Sequence, residues 1–139
     1  MDIERALELE AGETLDVFVA ELLGENVQHA ADFAADDKFF GGKMFCSDRE
    51  WYDVWIWDDK THTGHPIPPY STDANAALSL PREGGVGFEL NLYGDTTAAR
   101  FSIPSSSRSS EAFPTWYVAD APALATVRAW LAHHAAVKR

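Results

Sequence analysis

The sequence predicts an α+β fold in which an antiparallel β-sheet of about four strands is sandwiched by α-helices, a layered α/β/α arrangement. Three observations lead there. Apolar residues recur at three- and four-residue steps in the early and late segments, they alternate with polar ones in the middle, and strands and helices do not alternate as a parallel sheet requires. The 139 residues suit one domain, 1–139, with a single core, and 46% hydrophobic residues give too much apolar surface for a disordered chain.

Leu15, Phe18, Val19, Leu22 and Leu23 predict an amphipathic helix over about Glu13 to Leu23, stopped by Gly24. Ile3, Ala6 and Leu7 continue a helical spacing upstream, with a weak point at Ala11-Gly12. From Glu25 to Arg49 the periodicity fails, so a long irregular connection is expected, with a short helical piece near His29 to Ala35. Residues Trp51 to Trp57 are dense in aromatic and β-branched side chains and read as one covered strand, with Trp51, Trp55 and Trp57 on one face. Lys60 to Pro69 reads as a Gly- and Pro-rich loop.

Pro68-Pro69 holds the next entry extended, and Ser71 or Thr72 can cap a short helix over about Thr72 to Leu80, closed by Pro81. Phe88, Leu90 and Leu92 alternate with Glu89 and Asn91, and Ala99, Phe101 and Ile103 with Arg100 and Ser102, which predicts a hairpin turning at Gly94-Asp95. Ser105 to Ser110 reads as a loop tip and Thr115 to Ala119 as a short strand. The last helix is expected to be capped by Asp120, with Pro122 in its first turn and Leu124, Val127, Leu131 and Ala135 as the buried stripe.

The net charge of -11 is unevenly placed. Residues 1–59 hold 16 Asp and Glu against 4 Lys and Arg, whereas residues 60–139 hold 6 against 7. An acidic surface repels nucleic-acid phosphates and attracts basic protein surfaces, so direct nucleic-acid binding is not expected and a protein partner is. The bland alternative is a solvated face that only confers solubility. The single cysteine, Cys46, and the start Met1-Asp2-Ile3-Glu4-Arg5, which lacks the basic and apolar run of a secretion signal, lead to the expectation of a cytoplasmic protein. No apolar run approaches the roughly 20 residues of a membrane span.

The run Pro69-Tyr70-Ser71-Thr72-Asp73 with Ala76-Ala77 resembles the small phage and prophage family called the phage ABA sandwich domain. The stretch Ala11-Gly12 to Leu15-Asp16 with Val19-Ala20-Glu21, and Ala121-Pro122-Ala123-Leu124-Ala125 to Arg128-Ala129, carry the same resemblance, so it spans most of the chain. It implies a layered α/β sandwich and a phage or prophage origin, hence the host-cell cytoplasm, and it implies no catalytic residues. The chain departs from the family in its acidic middle, Asn26 to Cys46, and in a helix that stops early at Pro81.

Each candidate site has a competing structural explanation. His62 and His65 after Asp58-Asp59 offer metal-ligand types, but Gly64 and Pro66 suggest a loose solvated turn. His133 and His134 point about 100° apart on a helix and cannot readily share one ion. Cys46 has no local base and reads as a small buried group. Trp51, Trp55, Trp57 and Tyr70 could form an aromatic platform, with core packing the favoured alternative. Ser105 to Ser110 with Arg108 lacks the glycines of a phosphate loop.

The function expected is therefore binding, to a host or phage protein, through Glu21, Glu25, Asp32, Asp36 and Asp37, with Trp55, Trp57 and Tyr70 as aromatic contacts. A small nucleotide-type ligand held by aromatics with Arg82, Arg100 or Arg108 is the alternative, and a metal-dependent enzyme comes third. No catalytic residue, cofactor or resident metal is assigned.

Overall fold

The alternation of Phe88, Leu90 and Leu92 with polar neighbours builds β-strand pairing in the computed structural model, which describes residues 2–33, 43–81, 87–102 and 116–137. The chain divides into two units, one of Met1–Leu15 with Pro69–Arg139 and one of Asp16–Pro68. Helices α1 (Ile3–Ala6), α2 (Glu13–Leu22), α3 (Ala74–Leu78) and α4 (Pro122–Val137) accompany strands β1 (Val27–His29), β2 (Met44–Phe45), β3 (Trp51–Tyr52), β4 (Val54–Asp58), β5 (Thr63–His65), β6 (Gly87–Tyr93), β7 (Thr96–Ser102) and β8 (Tyr117–Ala119). The fold class is α+β, and every pair of named strands runs antiparallel. Among the described residues the strands form two three-stranded sheets and a two-stranded ribbon, where about four strands in one sheet were expected.

In the first unit β7 is the central strand of the order β6-β7-β8. The hairpin closes in two residues, with Gly94 at φ 58, the positive value that the first position of a II′ turn needs. Thr97, Ala99 and Phe101 share one face and are buried, and α4 packs against β7 and β8. Of the four-residue stripe expected on α4, Leu124, Val127 and Leu131 are buried and Ala135 is only partly covered, and the buried surface is wider than that stripe. Ala123 to Val127 are all buried in succession, as are Ala129, Trp130 and Leu131, because α4 lies between the sheet and helices α1 and α3. Its many alanines suit that position, since small side chains let several elements approach one axis.

Polar ties fix this arrangement. The Arg128 guanidinium donates to the carbonyls of Val118 (2.9 Å) and Leu9 (3.2 Å), and Trp130 Nε1 donates to Pro81 O at 2.9 Å. The first bond of α4 runs from Ala125 N to Ala121 O, so Ala121 occupies the cap position expected of Asp120.

The start of α3 also differs from expectation. Asp73 is its cap, its carboxylate accepting from Asn75 N at 2.9 Å. Ser71 is instead fully buried: its Oγ accepts from Gly12 N at 2.8 Å and donates to Gly12 O at 3.3 Å. A hydroxyl that both gives and takes a hydrogen bond can satisfy a buried peptide, and that long-range use outcompetes the local cap.

The second unit corrects the stretch read as irregular. Val27–His29 is a strand paired with β4 and Met44–Phe45 pairs with Trp51–Tyr52, while the short helical piece expected near His29 to Ala35 is present as a 3-10 turn, Ala30–Phe33. The loop read after Lys60 contains β5, which pairs with β4. The single strand expected from Trp51 to Trp57 is broken at Asp53, its halves joining different partners. Trp55 is fully buried and donates from Nε1 to Gln28 Oε1 at 2.8 Å, its cross-strand neighbour. The β2–β3 ribbon meets β5 through a parallel bridge between Cys46 and Gly64, where a Cβ on Gly64 would lie 2.7 Å from Met44 Cγ.

Among the described residues no helix is long and apolar enough to cross a membrane.

Candidate functional site

The β2–β3 ribbon turns through Ser47, Asp48 and Arg49. Cys46 N donates to Glu50 O and Arg49 N to Cys46 O, both at 2.9 Å, while Asp48 Oδ1 accepts from Glu50 N. Arg49 takes φ 68, the left-handed residue that closes a three-residue hairpin loop. The Tyr52 hydroxyl donates to the Asp48 carboxylate, which holds the phenol in its neutral form and pushes its pKa up to about 12. These bonds make a short, defined platform from only two residue pairs.

One of those pairs is Phe45 opposite Trp51, with ring centroids 5.2 Å apart and planes tilted by 49°. Both side chains are 50% exposed, whereas the neighbouring Trp55 has no exposure at all. Asp48, Glu50 and Asp53 lie exposed on the same ribbon and its exit, with Lys43 3.9 Å from Asp53. The unit that carries them, residues 16–68, holds eleven Asp and Glu against four Lys and Arg. A tilted pair of half-exposed rings within an acidic unit is suited to a cationic partner, since rings attract cations and supply contact area at little entropic cost.

The residues expected to bind that the structure describes fall in both units. Glu21 on α2, Glu25 after it and Asp32 in the 3-10 turn are exposed in the second unit, and Asp36 and Asp37 lie outside the described residues. Trp55 and Trp57 share a face of β4, but Trp55 is buried and Trp57 donates from Nε1 to Asp59 Oδ1. Trp51 does not join them, because the break at Asp53 sends it to the ribbon. Tyr70 belongs to the first unit and is 6% exposed, as core packing requires. The acidity of residues 1–59 is likewise divided, with Asp2, Glu4, Glu8, Glu10 and Glu13 in the first unit, and Asp16 buried.

The histidine loop is a tether. His65 Nδ1 sits 2.9 Å from Ser47 Oγ, and its Nε2 is 3.0 Å from Thr63 Oγ1 and 4.0 Å from Asp58 Oδ2. Serine, histidine and aspartate are the residue types of an acyl-transfer triad, but Thr63 takes the nitrogen that the carboxylate would have to orient, and Asp58 lies beyond hydrogen-bond reach. The Lys60 backbone N–H is the largest influence holding the Asp58 carboxyl below its ordinary value. His62 lies apart at φ 54 against the Trp57 ring. Among the described residues no three His, Cys, Asp or Glu side chains are grouped to hold a metal.

The remaining candidates are occupied structurally. Burial, and second the Asp48 charge, push the Cys46 thiol up to about 11, so it is protonated and a poor nucleophile at neutral pH. His133 stacks on Phe101, and His134 packs at a tilt against Trp130. Arg100 is held by both Glu89 oxygens at 3.1 Å and lies 4.2 Å over the Trp116 ring. Arg82 and the Ser105 to Ser110 tract with Arg108 lie outside the described residues.

Phe45 was missed from sequence because β2 is two residues long, too short for periodicity to register. The only available signal was the spacing of Phe45 and Trp51 about a polar Ser-Asp-Arg turn.

Compared with protein-family models, curated proteins and solved structures, the chain has no match.

Proposed function

We propose that this chain is a phage or prophage accessory protein that acts by binding a basic protein surface, with the Phe45–Trp51 face of the β2–β3 ribbon as its anchor. The observation that carries the reading is a pair of half-exposed aromatic side chains fixed on a tightly hydrogen-bonded turn inside the strongly acidic unit. Tryptophan at such a site contributes disproportionately to protein association, and the surrounding carboxylates accelerate encounter with a cationic partner. The phage or prophage assignment rests on the resemblance of the Tyr70 to Asp73 run and its companion segments to the ABA sandwich family.

The test is capture from host lysate with the full chain, the Trp51→Ala chain and a chain reversed in charge at Glu21, Glu25 and Asp32. Trp51→Ala should lower affinity for the captured partner roughly thirtyfold, on the scale of about 2 kcal/mol for an interface anchor. Charge reversal should weaken binding and abolish its salt dependence. A partner retained equally by all three proteins would refute the assignment.

A further inference from the structure

The first unit holds a separate open groove of about 570 Å3 between α1, β8 and the later turns of α4. Ile3 and Leu7, one helical turn apart, form one wall, Tyr117 another, and Ala132 with Ala135 the floor. All five are only partly covered. Exposed Asp2 and Glu4 stand at the rim.

We infer that this groove receives an amphipathic helix of a partner protein, one that inserts one or two bulky apolar side chains and places Lys or Arg beside them. The alanines leave room above α4 for such side chains, and an i, i+4 apolar wall facing an i, i+3 floor matches the spacing of a helix laid along it. A small molecule would be poorly covered in a cleft open on one side, whereas helix-in-groove docking needs only one covered face.

Charge complementarity selects the basic version. Residues 2–13 carry Asp2, Glu4, Glu8, Glu10 and Glu13, all exposed, against Arg5 alone. The groove also lies along the C-terminal half of α4, where the helix dipole favours cations. The neighbouring imidazoles do not line it: His133 stacks on Phe101 and His134 packs at a tilt against Trp130.

The experiment titrates the full chain with a fluorescent Lys/Leu amphipathic helical peptide and with its Glu/Leu counterpart, and follows the Ala132 and Ala135 methyl signals. The Lys/Leu peptide should bind, shift both methyls and weaken as salt rises. The Asp2→Asn/Glu4→Gln double variant should lose roughly tenfold in affinity, with α1 intact because asparagine also caps helices. Ala135→Trp should abolish the Ala132 methyl shift, and Asp95→Asn, in the exposed β6–β7 turn, should leave it unchanged; because both methyls belong to the first unit, their shifts report the groove and not the ribbon. Equal binding of the Glu/Leu peptide, methyl signals that stay still, or insensitivity to the rim variant would overturn the inference. Concentration-dependent dimers that bury the same methyls would assign the groove to a second copy. Binding seen only in Lys138→Gln/Arg139→Gln would assign it to the chain's own basic residues.

Discussion

The two units reach order by different means. In the first, seven-residue strands and a sixteen-residue helix stack a continuous run of buried side chains, from Ala99 and Phe101 through Leu124 and Val127 to Leu131. In the second, named strands of two to five residues carry few fully buried side chains, and single polar bonds pin them: Trp55 to Gln28, His65 to Ser47, Trp57 to Asp59. Burial spread over many contacts tolerates the loss of one, whereas a structure hung on a few anchors does not. The second unit presents large aromatic side chains at its surface, with Phe45 and Trp51 half-exposed, while Trp55, Val19, Ala20 and Cys46 are buried.

The strongest way to break this contrast is Trp55→Ala. Loss of a fully buried indole costs about 3–5 kcal/mol, and the Gln28 amide loses its partner as well. Urea denaturation should register that loss, and hydrogen exchange should place it: amides of β1, β4 and β5 lose protection while those of β6, β7 and α4 keep theirs. Protection lost equally in both units would show that they do not differ in this way.

The same contrast explains what could be read from residues alone. The β6–β7 hairpin, α2 and α4 were legible because their lengths give two or more full periods of apolar spacing. β1, β2 and β5 were not, because two or three residues give none, and their pairing depends on partners distant in sequence. Trp51 to Trp57 misled for a related reason: residue type marks a strand but does not show that Asp53 breaks it and exposes Trp51. For the candidate sites, burial of Tyr70 and Trp55 was foreseeable from apolar character, while the pairing of Phe45 with Trp51 and the tether from His65 to Ser47 required tertiary register.

Ser71 and Asp73 sharpen the comparison within the first unit. If Ser71 serves the buried Gly12 peptide and Asp73 caps α3, Ser71→Ala should cost about 1–3 kcal/mol by orphaning buried groups, and Asp73→Ala about 1 kcal/mol. Thr72→Ala, at an exposed position, should change the urea midpoint least. A larger loss at Thr72 than at Ser71 would restore the local cap as the feature that organises this turn.

The smallest effect tests whether charge contributes to the anchors of the second unit. The Asp58 carboxyl titrates below its ordinary value of 3.8, chiefly because the Lys60 N–H donates to its charged form at 2.9 Å. A depressed folded value means that the ionised group stabilises the fold above the unfolded value, and that this contribution disappears as pH falls through the lower folded value. Asp58→Asn keeps an oxygen for Lys60 but removes the charge. Its urea midpoint should lie slightly below the parent's at neutral pH, and the gap should close as the solution is taken below pH 3.8. Because Asp58 also faces His65, 4.0 Å away, a gap that persisted unchanged into acid would place the contribution in the side chain's shape and hydrogen bond, leaving the β4–β5 turn held by neutral contacts.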